Sequence, residues 1–187
     1  QDRTRSLGPD HPDTLTSRNN LASAYQVSGR LDEAITLHEQ NLKDLESLLS
    51  SGHPYILASR NNLAGAYQAA SRLQDAITLY EQNLTDRSSI LGPHHPSTLI
   101  SRNNLASVYK AAGRLDEAVT LHERNFEDCI HILGPGHPHT LTSRNNLASA
   151  YRAAGRIEDA EKLLAAPSGS EEDEQDGTDD PDQETGD

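Results

Sequence analysis

The chain has 187 residues with 29 acidic and 16 basic side chains, a formal net charge of -13, one cysteine and no methionine. Ten of those acids lie in residues 168–187, SGSEEDEQDGTDDPDQETGD, leaving 19 acidic against 16 basic residues and a net charge of -3 for residues 1–167. A lone Cys129 excludes an intrachain disulfide framework, no run reaches the ~20 apolar residues that span a bilayer, and the absence of a basic run argues against nucleic-acid binding.

The first residues, QDRTRSL, align with LTDRSSILGPHHP (84–96), so residues 1–7 are expected to be the end of a truncated preceding repeat. On that reading the chain is the C-terminal part of a longer array, with an upstream domain of the same parent chain as one expected partner. Residues 8–49 form the first complete unit. Pro12 and Gly29 bracket a helix A predicted from about 13 to 28, because proline suits a first helical turn and glycine the left-handed residue after a last one. Leu15, Leu21, Ala22 and Tyr25 give it one apolar stripe. Helix B is predicted from about 31 to 49, with Leu31, Ala34, Ile35, His38, Leu42, Leu45 and Leu49 at spacings of three and four. Asp32 and Glu33 complement the positive end of its dipole.

The unit then recurs every 42 residues. The word SRNNLA starts at 17, 59, 101 and 143; His-Pro precedes it at 11, 53, 95 and 137; tyrosine follows at 25, 67, 109 and 151. Such internal similarity predicts stacked helical hairpins, each covering the apolar face of its neighbour. Units are expected over 50–91, 92–133 and 134–167, the last with a shortened capping helix, followed by a disordered acidic tail over 168–187. Ile35, Ile77 and Val119 are equivalent, and the fourth copy has Glu161 there. A charge replaces an apolar contact where no further repeat covers it. The predicted class is all-α.

Leu21-Ala22, Tyr25, Gly29 and Ala34, with the phrases LGPDHPDTL, NNLASAY and GRLDEAI, resemble the tetratricopeptide repeat, in its 42-residue kinesin-light-chain form. Two positions depart from it: Ser71 replaces the glycine after helix A, and SSGHP (50–54) replaces LGPxHP. The resemblance implies a right-handed superhelical solenoid of antiparallel helix pairs, a protein-interaction scaffold without enzymatic activity or cofactor. Its helix A groove would hold a peptide or helix of a partner. Carried over by position, the groove residues are Asn19, Asn20, Ser23 and Gln26; Asn61, Asn62, Gly65 and Gln68; Asn103, Asn104, Ser107 and Lys110; and Asn145, Asn146, Ser149 and Arg152. A second reading makes the array a sensor or self-association arm of a larger regulatory NTPase or signalling protein. The expected setting is cytoplasmic, with neither membrane nor nucleic acid as partner.

An amide can stand in for a backbone partner, so the asparagine row could hold an extended chain; it could equally satisfy neighbouring structure. Lys110 and Arg152 point to a partner of acidic character. Arg18, Arg60, Arg102 and Arg144 could serve either ligand or fold, whereas Arg30, Arg72, Arg114 and Arg156 in the inter-helix turns are expected to pair with acids such as Asp32 or Asp116 that start helix B. The ladder His11, His53, His95 and His137 cannot gather on one metal, since packed helices stand ~8–10 Å apart and zinc ligands lie within ~2.1 Å; turn and helix-entry roles are expected. His38, His122 and Cys129 fall on the apolar stripe of helix B and are expected to pack there. The tail is either a solubiliser or a tethered competitor for acidic ligands.

Overall fold

The computed structural model describes residue 8 and residues 11–166; the predicted end of a preceding repeat (1–7) and the acidic tail (168–187) lie outside the described residues. The described residues form eight α-helices and no strand. These are α1 Pro12–Val27, α2 Leu31–Leu48, α3 Pro54–Ala69, α4 Leu73–Leu91, α5 Pro96–Ala111, α6 Leu115–Leu133, α7 Pro138–Ala153 and α8 Ile157–Ala165. Each helix packs on the next, and α1 also meets α3 as α5 meets α7. Odd-numbered helices are the A helices and even-numbered ones the B helices.

The His-Pro dipeptide starts every A helix. Proline occupies the first turn, where a missing N–H costs nothing, and histidine caps it. The Nδ1 of His11, His53, His95 and His137 accepts from the N–H two residues later, at 3.1–3.2 Å. At the other end of α1 the Arg30 N–H donates to the Tyr25 carbonyl (2.9 Å) and the Gly29 N–H to that of Gln26 (3.1 Å), closing the helix with Gly29 at φ +78°. Ser71 adopts the same conformation at φ +60° with the same pair of bonds, so this departure from the repeat keeps its geometry at the cost of strain. In SSGHP, α2 stops at Leu48, and Gly52 lies against Ile90, whose Cδ1 would stand 2.6 Å from a Cβ at that position.

The core runs between the helix B of one repeat and the helix A of the next. Leu15, Ile35, Leu42 and Leu45 pack with Ile56, Leu63 and Ala66 at the first junction. Ala76, Ile77 and Tyr80 pack with Leu105, Val108 and Tyr109 at the second. Alanines at 22, 34, 64, 76, 106, 118, 148 and 160 are buried in every repeat, which lets paired helices approach closely. Leu21 departs from expectation: it is 46% exposed although Leu63, Leu105 and Leu147 are buried. Those leucines lie under the helix pair of a preceding repeat, and Leu21 has none among the described residues. Glu161 is exposed, while Ile35, Ile77 and Val119 are buried.

Candidate peptide-binding groove

The A helices line up their SRNNLA words. The second asparagine of each word donates its Nδ2 to the Oδ1 of the first asparagine in the preceding word: Asn62 to Asn19 (2.9 Å), Asn104 to Asn61 (2.9 Å) and Asn146 to Asn103 (2.8 Å). The amides thus hold one another across every junction, each bond contributing about 1 kcal/mol. Six of the eight groove asparagines are committed in this way. Asn20 and Asn145, at the two ends, are exposed.

Further along the same face, Lys110 donates to the Ser149 hydroxyl at 2.9 Å, joining two more of the carried-over residues across a junction. The Ser23 and Ser107 hydroxyls donate back to the carbonyls of Asn19 and Asn103 within their own helices. Gln26 and Gln68 are half-buried, and Arg152 is exposed at the far end.

The arginines divide by position. Arg18, Arg60 and Arg102 each reach an aspartate 26 residues on, in the helix B of their own repeat: Asp44, Asp86 (2.6 Å) and Asp128. Arg60 and Arg102 are buried, so these pairs lock helix A to helix B within a hairpin, and the open choice between ligand and fold resolves toward the fold. Arg144 donates to the Ala166 carbonyl at 3.1 Å. The turn arginines stand over Tyr25, Tyr67, Tyr109 and Tyr151, 4.0–4.2 Å from the ring centres. Their acidic partners are Glu33, Asp75, Glu117 and Asp159, at Nε–O distances of 2.7–2.9 Å. Asp32 and Asp116 are therefore not the partners: the acid one residue later is reached by the turn's geometry.

Each of these tyrosines after the first also donates to a glutamate of the preceding repeat: Tyr67 to Glu39 (2.6 Å), Tyr109 to Glu81 (2.6 Å) and Tyr151 to Glu123 (2.7 Å). Burial, aided by the adjacent glutamate, pushes all three phenols up to about 12, so they remain donors at any physiological pH. Amide ladder and tyrosine clasp together set one repeat on the next.

Profiles of the tetratricopeptide repeat match residues 1–47, 15–85, 55–124 and 101–166. The chain belongs to the tetratricopeptide repeat family. Among solved structures it is similar to a kinesin-light-chain-like protein of nearly identical TPR-like repeats from Podosopora anserina, at 40% identity and a TM-score of 0.78, covering 87% of this chain and 77% of that one. A variant of that protein aligns at 38% identity and a TM-score of 0.79, over 87% and 76% of the two chains. BtubC (BKLC) from P. vanneervenii, at 21% identity and a TM-score of 0.70 over 94% and 73% of the chains, shares the fold. A comparison with curated proteins gives no match.

The array is thus a right-handed tetratricopeptide solenoid of the kinesin-light-chain type, and a protein-interaction scaffold. No helix among the described residues is long and apolar enough to cross a membrane. The ladder histidines stand at the helix entries as expected and, beyond that expectation, cap them; His94 lies apart from His95, 3.4 Å from Asp128. His38 and His122 are more than partly buried: both are fully enclosed, with neither ring nitrogen hydrogen-bonded, and burial holds both below the usual imidazole range. Cys129 is buried, which pushes its thiol up and away from reactivity.

Sequence reasoning passed over a second asparagine row, Asn41, Asn83 and Asn125, on the buried face of the B helices. The signal was present, since each sits within the apolar stripe and recurs every 42 residues. Asn41 lines a cavity of about 290 Å³ at the first junction, with Leu15, Asn19, Leu45, Leu48, Tyr55 and Ser59. At the third junction the equivalent cavity, lined by Leu99, Asn103, Asn125, Cys129, His139 and Ser143, is about 80 Å³.

Proposed function

We propose that the TPR array binds an extended segment of a partner protein along the face formed by its A helices. The supporting observation is the unbroken register of that face: the asparagine ladder and the Lys110–Ser149 bond join residues carried over from four separate repeats into one continuous strip. Because the ladder amides hold each other, ligand-directed chemistry falls on the groups they leave free. Asn20 and Asn145 offer exposed amides at the two ends, and Lys110 and Arg152 offer positive charge over the third and fourth repeats. A segment with acidic side chains toward its Arg152 end is the partner this face suits best.

Selection of binders from a random-peptide display library tests the reading. The selected peptide is expected to lose affinity for the Lys110→Gln/Arg152→Gln double variant and to shift the backbone amide signals of α3, α5 and α7 in NMR spectra. Shifts confined to the B helices, with affinity unchanged in the double variant, would refute groove binding.

A further inference from the structure

The three junctions between repeats are built from the same positions, yet one is filled from within. At the second junction Arg87 occupies the place held by Leu45 in the first and Cys129 in the third. Its Nη1 donates to the Ser97 carbonyl (2.9 Å) and to the Ser101 hydroxyl (3.0 Å). No carboxylate appears among those bonds; a carbonyl and a hydroxyl receive the guanidinium, and burial lowers the pKa of Arg87. At the first junction the equivalent residues are Tyr55 and Ser59, and both line the cavity of about 290 Å³. That volume stands near the lower bound of ligand sites, roughly 300 Å³.

Two polar atoms at this cavity lack partners. Asn41 and Ser59 are each only 3% exposed, and neither the Asn41 Oδ1 nor the Ser59 Oγ makes a hydrogen bond. A buried acceptor left unpaired carries an uncompensated desolvation cost, which a donor entering the cavity would recover. Leu15, Leu45, Leu48 and Ala58 give it an apolar wall that suits an alkyl stem, and His53 and Asn19 are among its polar lining. At the third junction the serine is engaged internally, Asn125 Nδ2 donating to the Ser143 hydroxyl at 3.3 Å in a much smaller cavity, while Asn125 Oδ1 stays unbonded as Asn41 Oδ1 does.

We infer that the first-junction cavity is a side-chain subsite for an arginine of a bound partner segment, whose guanidinium would donate to Ser59 Oγ, as that of Arg87 donates to the equivalent Ser101, and also to the unbonded Asn41 Oδ1, a contact Arg87 does not make with Asn83. The cavity is bordered by Asn19 and Asn62 of the ladder, so a chain lying along the A helices passes its mouth. Only the source of the arginine rests on the groove reading proposed above. Joined to it, the subsite gives the ligand a direction: arginine at the α1/α3 end, acids toward α7.

The test uses N-acetyl-arginine-methylamide as probe, with N-acetyl-norleucine-methylamide as the uncharged apolar control, in NMR titrations of the full chain. The arginine probe is expected to give saturable shifts at the Ser59 backbone and Asn41 side-chain amides, and the control to bind about tenfold more weakly or less. Leu45→Arg should fill the subsite from within, removing those shifts and raising Tm. Arg87→Ala should open a second site, with new shifts at Ser101. Absence of saturable shifts at Ser59 and Asn41, equal binding of the norleucine probe, or wild-type titration by a folded Leu45→Arg variant would each overturn the assignment. Should Leu45→Arg fail to fold, silence at Ser101 in Arg87→Ala would do so instead. Because the probe is a single residue, its result stands whether or not a peptide is captured along the groove.

Discussion

His122 makes stability depend on pH in a calculable way. Its ring is enclosed in the core with both nitrogens unbonded, and burial, assisted by the Lys110 charge, brings its pKa from 6.5 down to about 4. The unfolded chain takes up its proton near pH 6.5 and the folded chain only near 4, so stability is complete above 6.5 and falls as the pH drops between these values. For those two pKa values the loss is roughly 2 kcal/mol from pH 7 to pH 5, and roughly 3 kcal/mol well below pH 4. His38, likewise lowered by burial, acts in the same direction. Replacing His122 with leucine removes the titrating group and two unsatisfied nitrogens at similar volume. Urea unfolding followed by circular dichroism at pH 7 and pH 5 should then show the variant losing about 2 kcal/mol less than the wild type over that interval. The other histidines are common to both proteins, so their contributions cancel in the comparison. Equal losses in the two proteins would show that His122 is solvated or already protonated in the fold, and would refute the buried-imidazole reasoning.

Ser71→Gly should stabilise the array by about 1 kcal/mol, since Ser71 holds a left-handed φ of +60° that its three glycine counterparts adopt freely; an unchanged Tm would contradict this. Asp128→Ala strands the buried Arg102 guanidinium and should cost about 3 kcal/mol in urea unfolding; a loss below about 1 kcal/mol would show the pair to be a surface one. In a double-mutant cycle, Asn61→Ala and Asn104→Ala should couple by about 1 kcal/mol, because each removes the other's partner; additive effects would remove the ladder bond. Deleting residues 168–187 removes ten carboxylates and should tighten binding of an acidic groove peptide at low salt but not at high salt, while equal affinities at both would exclude competition by the tail.

Much of this architecture could be read from the residues. His-Pro, the tyrosine, the glycine-arginine turn and the helix B stripe located the first two helices to within about a residue, because capping and periodicity are local, and the repeat states the same signals four times. The exposure of Leu21 was harder to foresee. Leu21 reads as core by its pattern, yet its burial depends on a neighbouring hairpin and not on its own helix. The asparagines were legible as a row but not as bonded pairs. A sequence places Asn61 and Asn104 on equivalent faces without saying that their 43-residue separation brings them within 2.9 Å. The same holds for the cavity. Leu45, Arg87 and Cys129 look like tolerated variation at one stripe position until packing shows that the arginine fills what the leucine leaves open.

Stacked hairpins that present one continuous face to one partner chain should be traced along that face by photo-cross-linking. A benzophenone side chain placed singly at Gln68 in α3 or Arg152 in α7, and at exposed Thr78 in α4 as control, reports which surface a display-selected peptide touches. Cross-links from positions 68 and 152 to different residues of the same bound peptide, with none from 78, are the predicted result. Cross-links from position 78, or from one groove position alone with a peptide long enough to reach both, would contradict it.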